Sequence, residues 1–452
     1  MAVSKTEKRP VRKLTVENFS VIKDAKLEFG KITVLIGPQA SGKSLLCKLA
    51  YFLTRQTIED ALVAILSQNA FRGSPFDEFK VTLRRDFLVW FPLDTWQNEG
   101  ARVTFESHVY RVQISATKQL DGVEVSFSRQ FESLFAKLAD LVQAMPASGS
   151  DSSRYIAEQL RAQFSLLATE IFIDRPLYIP DGRAFFANQS LGFNVVNNPD
   201  IDPIIKEFSL EVSWGSGRSP DPVLGEEGVR ILYEINREIL TIAGGHVEGR
   251  NGSATFKRTA DGKSIPLPLL SSGTQAMLPM FNVLWRWITE QRGRNLFPRP
   301  DNLPGMPNQL ILSKALVYVE EPESNVFPKT QYDLMRLFAW LSSEPRLDFQ
   351  FAITTHSPYI LTSFNALLGA GKAAKARPEK IEEIRKVIPQ KCWIAEGDLI
   401  AYAFDGKDGI LHRAMDQETG LINGDVLDSV SDKIGAQFDE LLDIEYAKHG
   451  PR

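Results

Sequence analysis

The sequence predicts an α/β fold, a mixed or parallel sheet flanked by helices with an inserted α+β region. Three observations predict it. Residues 31–36 form a β-branched apolar run that meets the glycine-rich segment GPQASGKS at 37–44, followed by a helical pattern at 45–53. Residues 316–319 form a second apolar run, which ends in Glu320-Glu321-Pro322-Glu323. Residues 351–354 form a third, which ends in Thr355-His356-Ser357-Pro358. Short apolar runs without alternation suit strands covered on both faces, and a helix between two of them implies parallel pairing.

The elements follow in order. Two strands, at 13–19 and 25–29, feed the strand before the glycine segment. A helix is expected over 45–70. Residues 80–128 read as β-rich: 103–105, 109–114 and 123–127 alternate, and Asp121-Gly122 is a hairpin signal. Residues 129–172 read as helical, broken by a polar loop at 146–153. Residues 177–180 return to strand, and 185–225 read as irregular, rich in Asn, Pro and Gly. A helix at 226–242 precedes a hairpin with turns at Asn251-Gly252 and Asp261-Gly262. An apolar helix is expected over 274–290, and a loop over 292–308 that carries Arg292, Arg294 and Arg299. Parallel strands follow at 315–319 and 348–354, with a helix at 330–342 between them. No repeat or long heptad run occurs.

Composition narrows the function classes. At 452 residues the chain is long enough for two or three domains, and 43% hydrophobic residues supply a large core. A net charge of −4 gives no overall pull toward nucleic acid. Cys47 and Cys392 are too few for a disulfide framework or a four-cysteine zinc site, which suits a reducing compartment. The five His have no metal-ligand spacing. No apolar run reaches the about 18 residues of a membrane span. The expectation is a soluble, cytoplasmic chain with a loose basic start at 1–10.

Gly37, Pro38, Gln39, Ala40, Ser41, Gly42, Lys43 and Ser44 fit G-x-x-x-x-G-K-[ST] without a gap. Strand, glycine loop, helix is the context this motif requires. Loop N–H groups and the helix N-terminus form an anion site. Lys43 reaches the β- and γ-phosphates of a nucleoside triphosphate, and the Ser44 hydroxyl ligates Mg²⁺. Glu320 would hold Mg²⁺, directly or through water, and Glu321 would deprotonate the attacking water. Ser271, Ser272 and Gly273, before the apolar helix, let N–H groups approach a phosphate; the same residues are also an ordinary helix cap. His356 is a candidate contact to the γ-phosphate or the water, or a structural residue of a strand end.

The order GPQASGKS, LSSGTQ, VYVEEPE, TTHSP resembles the ABC-type ATPase head, in the soluble branch with SMC, RecF and OLD-like proteins. Glu-Glu-Pro-Glu in place of Asp-Glu-Pro-Thr points to the OLD-like subgroup. There are departures: Gln39 stands where many relatives have Asn, Ser272 replaces the first glycine of LSGGQ, and 322–328 lacks a His-rich wording. Gln56 and Gln68 are the nearest candidates for a glutamine loop. Arg183, in Tyr178-Ile179-Pro180-Asp181-Gly182-Arg183, resembles an arginine segment of this group, with a structural salt bridge as an equal reading.

The resemblance implies an ATPase lobe at 1–70, an insertion at 71–265, the rest of the ATPase core at 266–375, and a C-terminal segment at 376–452 that finishes the fold or docks a partner. It implies ATP and Mg²⁺ as cofactors. It also implies a homodimer or higher homo-oligomer, in which LSSGTQ of one subunit caps ATP on the phosphate loop of another. OLD-like relatives carry a Toprim nuclease. Here 393–398 (Trp-Ile-Ala-Glu-Gly-Asp) has only a superficial likeness to its start, and Asp425 and Asp428 lie in a turn-like context without an Asp-x-Asp strand. The resemblance therefore points to a switch or sensor subunit of a bacterial anti-phage defence complex of PARIS or Septu type, with a separate effector such as a Toprim nuclease and a phage-derived trigger. DNA binding stays open, and a RecF- or SMC-like repair ATPase or an ATP-bound scaffold are the alternatives.

Overall fold

The computed structural model describes residues 12–67, 73–96, 98–107, 110–119, 121–143, 176–187, 195, 198, 200–213, 226–248, 254–295, 315–345, 347, 349–404, 408–423 and 436–442. The expected loose start at 1–10, the loop 146–153 and the helix continuing to 172 lie outside them. So do the Asn251-Gly252 turn, residues 296–308, Gln68, Asp425 and Asp428.

Strands β1 (Arg12–Phe19) and β2 (Ile22–Phe29) form a hairpin that leads to β3 (Ile32–Ile36) and helix α1 (Lys43–Leu66). Helix α2 (Pro75–Trp90) occupies the start of the stretch expected to be β-rich. Phe79, Leu83 and Phe87, four residues apart, are fully buried, while Val81 and Val89 are exposed. That is a helical face, and Pro75 at the first position with Asp77 and Glu78 in the first turn marks its start. Strands β4 (Arg102–Glu106), β5 (Arg111–Ala116) and β6 (Val123–Phe127) then complete an antiparallel sheet of order β2-β1-β4-β5-β6, and helix α3 (Arg129–Gln143) follows.

Strand β7 (Leu177–Ile179) runs into a 3-10 turn at Asp181–Ala187. Helix α4 (Pro203–Ser213) lies within the stretch expected to be irregular. Its start is Asp202, whose Oδ1 accepts from Ile204 N at 2.9 Å, with Pro203 next in the chain. Helix α5 (Glu226–Ala243) leads to a small antiparallel sheet of β8 (Gly245–Glu248), β9 (Thr255–Arg258) and β10 (Ser264–Pro266). Helix α6 (Ser272–Asn295), β11 (Ala315–Glu320), α7 (Pro328–Ser343), β12 (Phe349–Thr355), α8 (Pro358–Ala376) and α9 (Ile381–Val387) follow. Strands β13 (Leu399–Phe404) and β14 (Leu411–Arg413) close the described core.

The central sheet has order β14-β13-β3-β12-β11-β7, and every pair except β13 with β14 is parallel. Both faces are covered. Ile32, Val34, Val317 and Val319 face a core built with α5, α6, α7 and α8, while Leu35, Leu316 and Tyr318 face one built with α1, α2 and the antiparallel sheet. This two-sided burial explains the unbroken apolar runs. The glycine loop, the acids and His356 consequently emerge at one edge, beyond the C-terminal ends of β3, β11 and β12. With β12 between them, β3 and β11 lie about 10 Å apart, which leaves room for a triphosphate and a cation.

Candidate active site

The glycine loop is built by backbone conformations that side chains disfavour. Gly42 has φ 103°, and a Cβ there would lie 2.8 Å from Ile22 Cγ1, so the loop's close seat on the β1–β2 hairpin requires glycine. Ala40 also has a positive φ, 59°. Pro38, Gln39 and Ala40 form an exposed lip, whereas Lys43 is buried and Ser44 half-buried. No side chain caps α1, and its first turn holds no acid, so its N–H groups are available to an anion. Ser41 Oγ is buried without a hydrogen-bond partner.

Lys43 Nζ donates to the carbonyls of Gly37 at 2.9 Å and Pro38 at 2.7 Å. Burial pushes its pKa down to about 8, against the opposing pull of Glu321 and Glu323.

Glu320 ends β11 and is buried. Its Oε1 accepts from the Tyr178 hydroxyl at 2.6 Å, and its Oε2 from Asp181 N at 3.2 Å. Each oxygen keeps a further lone pair for a cation. Burial, reinforced by Glu320, holds the Tyr178 hydroxyl well above its ordinary pKa, so it stays a donor. Ser44 and Glu320 are hard oxygen donors, which suits Mg²⁺. Among the described residues no cluster of three or more His, Cys, Asp or Glu offers an all-protein metal cage.

Glu321 departs from the strand with φ 40°, in the left-handed region. Its N–H bonds Thr354 O at 3.0 Å, and its Oε1 lies 3.1 Å from His356 Nε2. Glu323 joins the same loops: its Oε1 accepts from Thr355 Oγ1 at 2.7 Å and His356 N at 2.6 Å, while its Oε2 is buried without a partner. Burial raises the Glu323 pKa, and the Thr355 hydrogen bond opposes the rise. Ser357 Oγ donates to Gln331 Oε1 at 2.6 Å, and Gln331 Nε2 donates to Val326 O at 2.8 Å. The loops after β11 and β12 thus form one bonded unit.

Arg183 is fully buried and donates to four main-chain carbonyls, and among the described residues it forms no salt bridge. Nη1 bonds Glu320 O at 2.8 Å and Pro180 O at 3.1 Å, Nη2 bonds Glu321 O at 3.0 Å, and Nε bonds Ala276 O at 3.1 Å. The salt-bridge reading is therefore replaced by main-chain bonding. Tyr178, Asp181 and Glu323 were not singled out from sequence as functional; Glu323 was legible only as the last letter of EEPE.

Ser271 Oγ accepts from Thr274 N at 3.3 Å, so it caps α6. Ser271 and Ser272 are exposed, and a Cβ on Gly273 would lie 2.5 Å from Asn325 O. No hydrogen bond joins residues 271–273 to residues 37–44 among the described residues. Gln56 lies 13 residues beyond Lys43 on α1, about 20 Å away at 1.5 Å per residue. It bridges Asp60 and Asp86 at 2.7 and 3.3 Å, so it is no part of this site. Residues 393–397 form no strand, and Glu396 pairs with Lys375 at 2.7 Å, which removes the likeness to a Toprim start.

Residues 197–361 match the family model of the AAA ATPase domain. The match takes in α6, the acid pair and His356, and begins after the glycine loop. No curated protein matches the chain significantly. Among solved structures, the SMC head domain from Thermotoga maritima is 12% identical, covers 89% of this chain and 97% of its own, and superposes with a TM-score of 0.35. The SmcHead bound to the C-winged helix domain of ScpA is 11% identical, with coverages of 90% and 98% and a TM-score of 0.40. The Smc head domain with an extended coiled coil, bound to the C-terminal domain of ScpA derived from Pyrococcus furiosus, is 13% identical, with coverages of 89% and 95% and a TM-score of 0.34. No helix among the described residues is long and apolar enough to cross a membrane.

Proposed function

We propose that this chain binds ATP and hydrolyses it, using the hydrolysis as a switch. The observation that carries this reading is the convergence of the glycine loop, Glu320, Glu321 and His356 at the C-terminal ends of the adjacent strands β3, β11 and β12, with His356 Nε2 3.1 Å from Glu321 Oε1. The phosphates lie along residues 37–44, and Lys43 exchanges its loop carbonyls for β- and γ-phosphate oxygens. Ser44 and Glu320 would hold Mg²⁺, which would supply neutralising charge to the phosphoryl oxygens. Glu321 takes a proton from the attacking water, and His356 orients its carboxylate. Ser271 and its neighbours, exposed at the start of α6, serve ATP bound by a second copy. The test compares ATP binding and phosphate release by the purified protein with those of Glu321→Gln. Binding without release by the wild type would leave a scaffold; absence of binding would end the nucleotide reading.

GPQASGKS, LSSGTQ and VYVEEPE resemble an OLD-like ABC-type ATPase head, and family analogy with stand-alone defence ATPases extends the proposal: the switch controls a separately encoded effector, such as a Toprim nuclease, in answer to a phage-derived trigger. Affinity capture from the native host, read by mass spectrometry, tests this. A stoichiometric nuclease supports it, whereas a DNA-stimulated ATPase without such a partner supports a repair role.

A further inference from the structure

We infer that Arg183 is a positioning residue that couples the first turns of α6 to the main chain of the acid pair. The inference rests on the proposed ATP site. The guanidinium has five N–H donors in a rigid fork, and four bonds go to carbonyls of three separate segments. Pro180 O belongs to the turn after β7, Glu320 O and Glu321 O to the end of β11, and Ala276 O to α6. A side chain on a carboxylate can swing with it, but a fork bonded to four main-chain oxygens fixes the segments themselves.

Four further observations support this role. Glu321 sits at φ 40°, a conformation that must be held, and Arg183 Nη2 bonds its carbonyl at 3.0 Å. The same short segment grips the Glu320 side chain through Tyr178 and Asp181 N. On α6, Gly273 approaches Asn325 O so closely that a Cβ would lie 2.5 Å from it. Pro279 lies inside α6, one turn beyond the Arg183 contact, and removes the hydrogen bond to the Gln275 carbonyl. The helix is therefore opened beside the point where Arg183 holds it. A shift of the exposed Ser271-Ser272 end, as contact with a second copy would impose, reaches the main chain of Glu320 and Glu321 through this residue.

Hydrogen exchange and kinetics on the full chain test the inference. In wild-type protein under mild denaturant, amides of 276–278, 280 and 320–321 should open as one unit, with the same denaturant dependence. Arg183→Lys keeps the charge but loses the fork. Exchange at both segments should rise at least about tenfold, with the segment 45–53 of α1 within about twofold of wild type. ATP affinity should stay within about threefold while kcat falls at least about tenfold. Tyr178→Phe, which keeps Arg183, should leave 276–280 unchanged. Independent opening of the two segments in wild type would overturn the inference, as would normal kcat in Arg183→Lys or faster exchange confined to 176–187. If Arg183→Lys does not fold, the wild-type exchange decides. A wild type that turns over no ATP ends the proposed function instead, and exchange alone then judges the coupling.

Discussion

His356 Nε2 lies 3.1 Å from Glu321 Oε1, while the Glu321 main chain is held from both sides, by Thr354 O at its N–H and by Arg183 Nη2 at its carbonyl, each at 3.0 Å. A non-glycine residue at φ 40° costs about 1–3 kcal/mol and persists only when its surroundings over-determine it. Here the strain aims a carboxylate away from the strand and toward the space beside Lys43.

Glu321→Gln keeps the shape of the side chain but cannot take a proton. Phosphate release should fall about 10²–10⁴-fold, with ATP affinity nearly unchanged. Near-normal turnover would place the base elsewhere. His356→Ala should cost less than Glu321→Gln, because it removes the orienting partner and leaves the base.

ATP binding should weaken as pH rises past 8. The free-protein pKa of Lys43 is about 8, below its ordinary 10.5, so the charged form that attracts phosphate is lost above that value. Bound triphosphate favours the charged form and raises the pKa in the complex. Between the two pKa values Kd should rise about tenfold per pH unit, and Lys43→Ala, already much weaker, should lack that limb. Titrating Kd from pH 7 to 10 checks the sign.

Gly273→Ala sets two effects against each other. Alanine favours a helix over glycine by up to about 1 kcal/mol, less in the first turn. The new Cβ would meet Asn325 O at 2.5 Å, and such overpacking costs about 1–3 kcal/mol. The clash wins, so urea unfolding should show a net loss of stability and turnover should fall with it. A stabilised variant would mean that Asn325 moves aside at little cost.

Lys43→Ala and Ser271→Arg should each be inactive alone. The first cannot hold nucleotide, and the second blocks the exposed cap of α6. If the site is shared between copies, mixing the two with subunit exchange creates interfaces where intact Lys43 faces intact Ser271. Part of the ATPase rate should return. A verified mixed assembly, with nucleotide bound and no activity regained, would argue for sites within single chains or for paired firing.

Much of the central sheet was legible because its strands are buried on both faces: 31–36, 316–319 and 351–354 read as mostly apolar runs without alternation. The β-rich reading of 80–128 rests on alternation at 103–127 and does not hold for 80–90, where Val81 and Val89 face solvent while Phe79, Leu83 and Phe87 carry the helical period. Helix α4 was missed although Asp202-Pro203 is a helix start, because the neighbouring Asn, Gly and Pro outweighed it.

The sequence by itself determined the local chemistry: a glycine loop ahead of Lys43 and Ser44, an acid pair at a strand end, and His356 at another. These are contiguous patterns, dictated by backbone freedom and burial within a few residues. Only the tertiary structure decided which of them meet, and through what. The strand order β3-β12-β11-β7 sets His356 beside Glu321, and it brings residues 178–183, some 140 positions earlier in the chain, beneath Glu320. Parallel pairing joins segments far apart in sequence, and a buried guanidinium chooses its carbonyl acceptors only after those segments have packed.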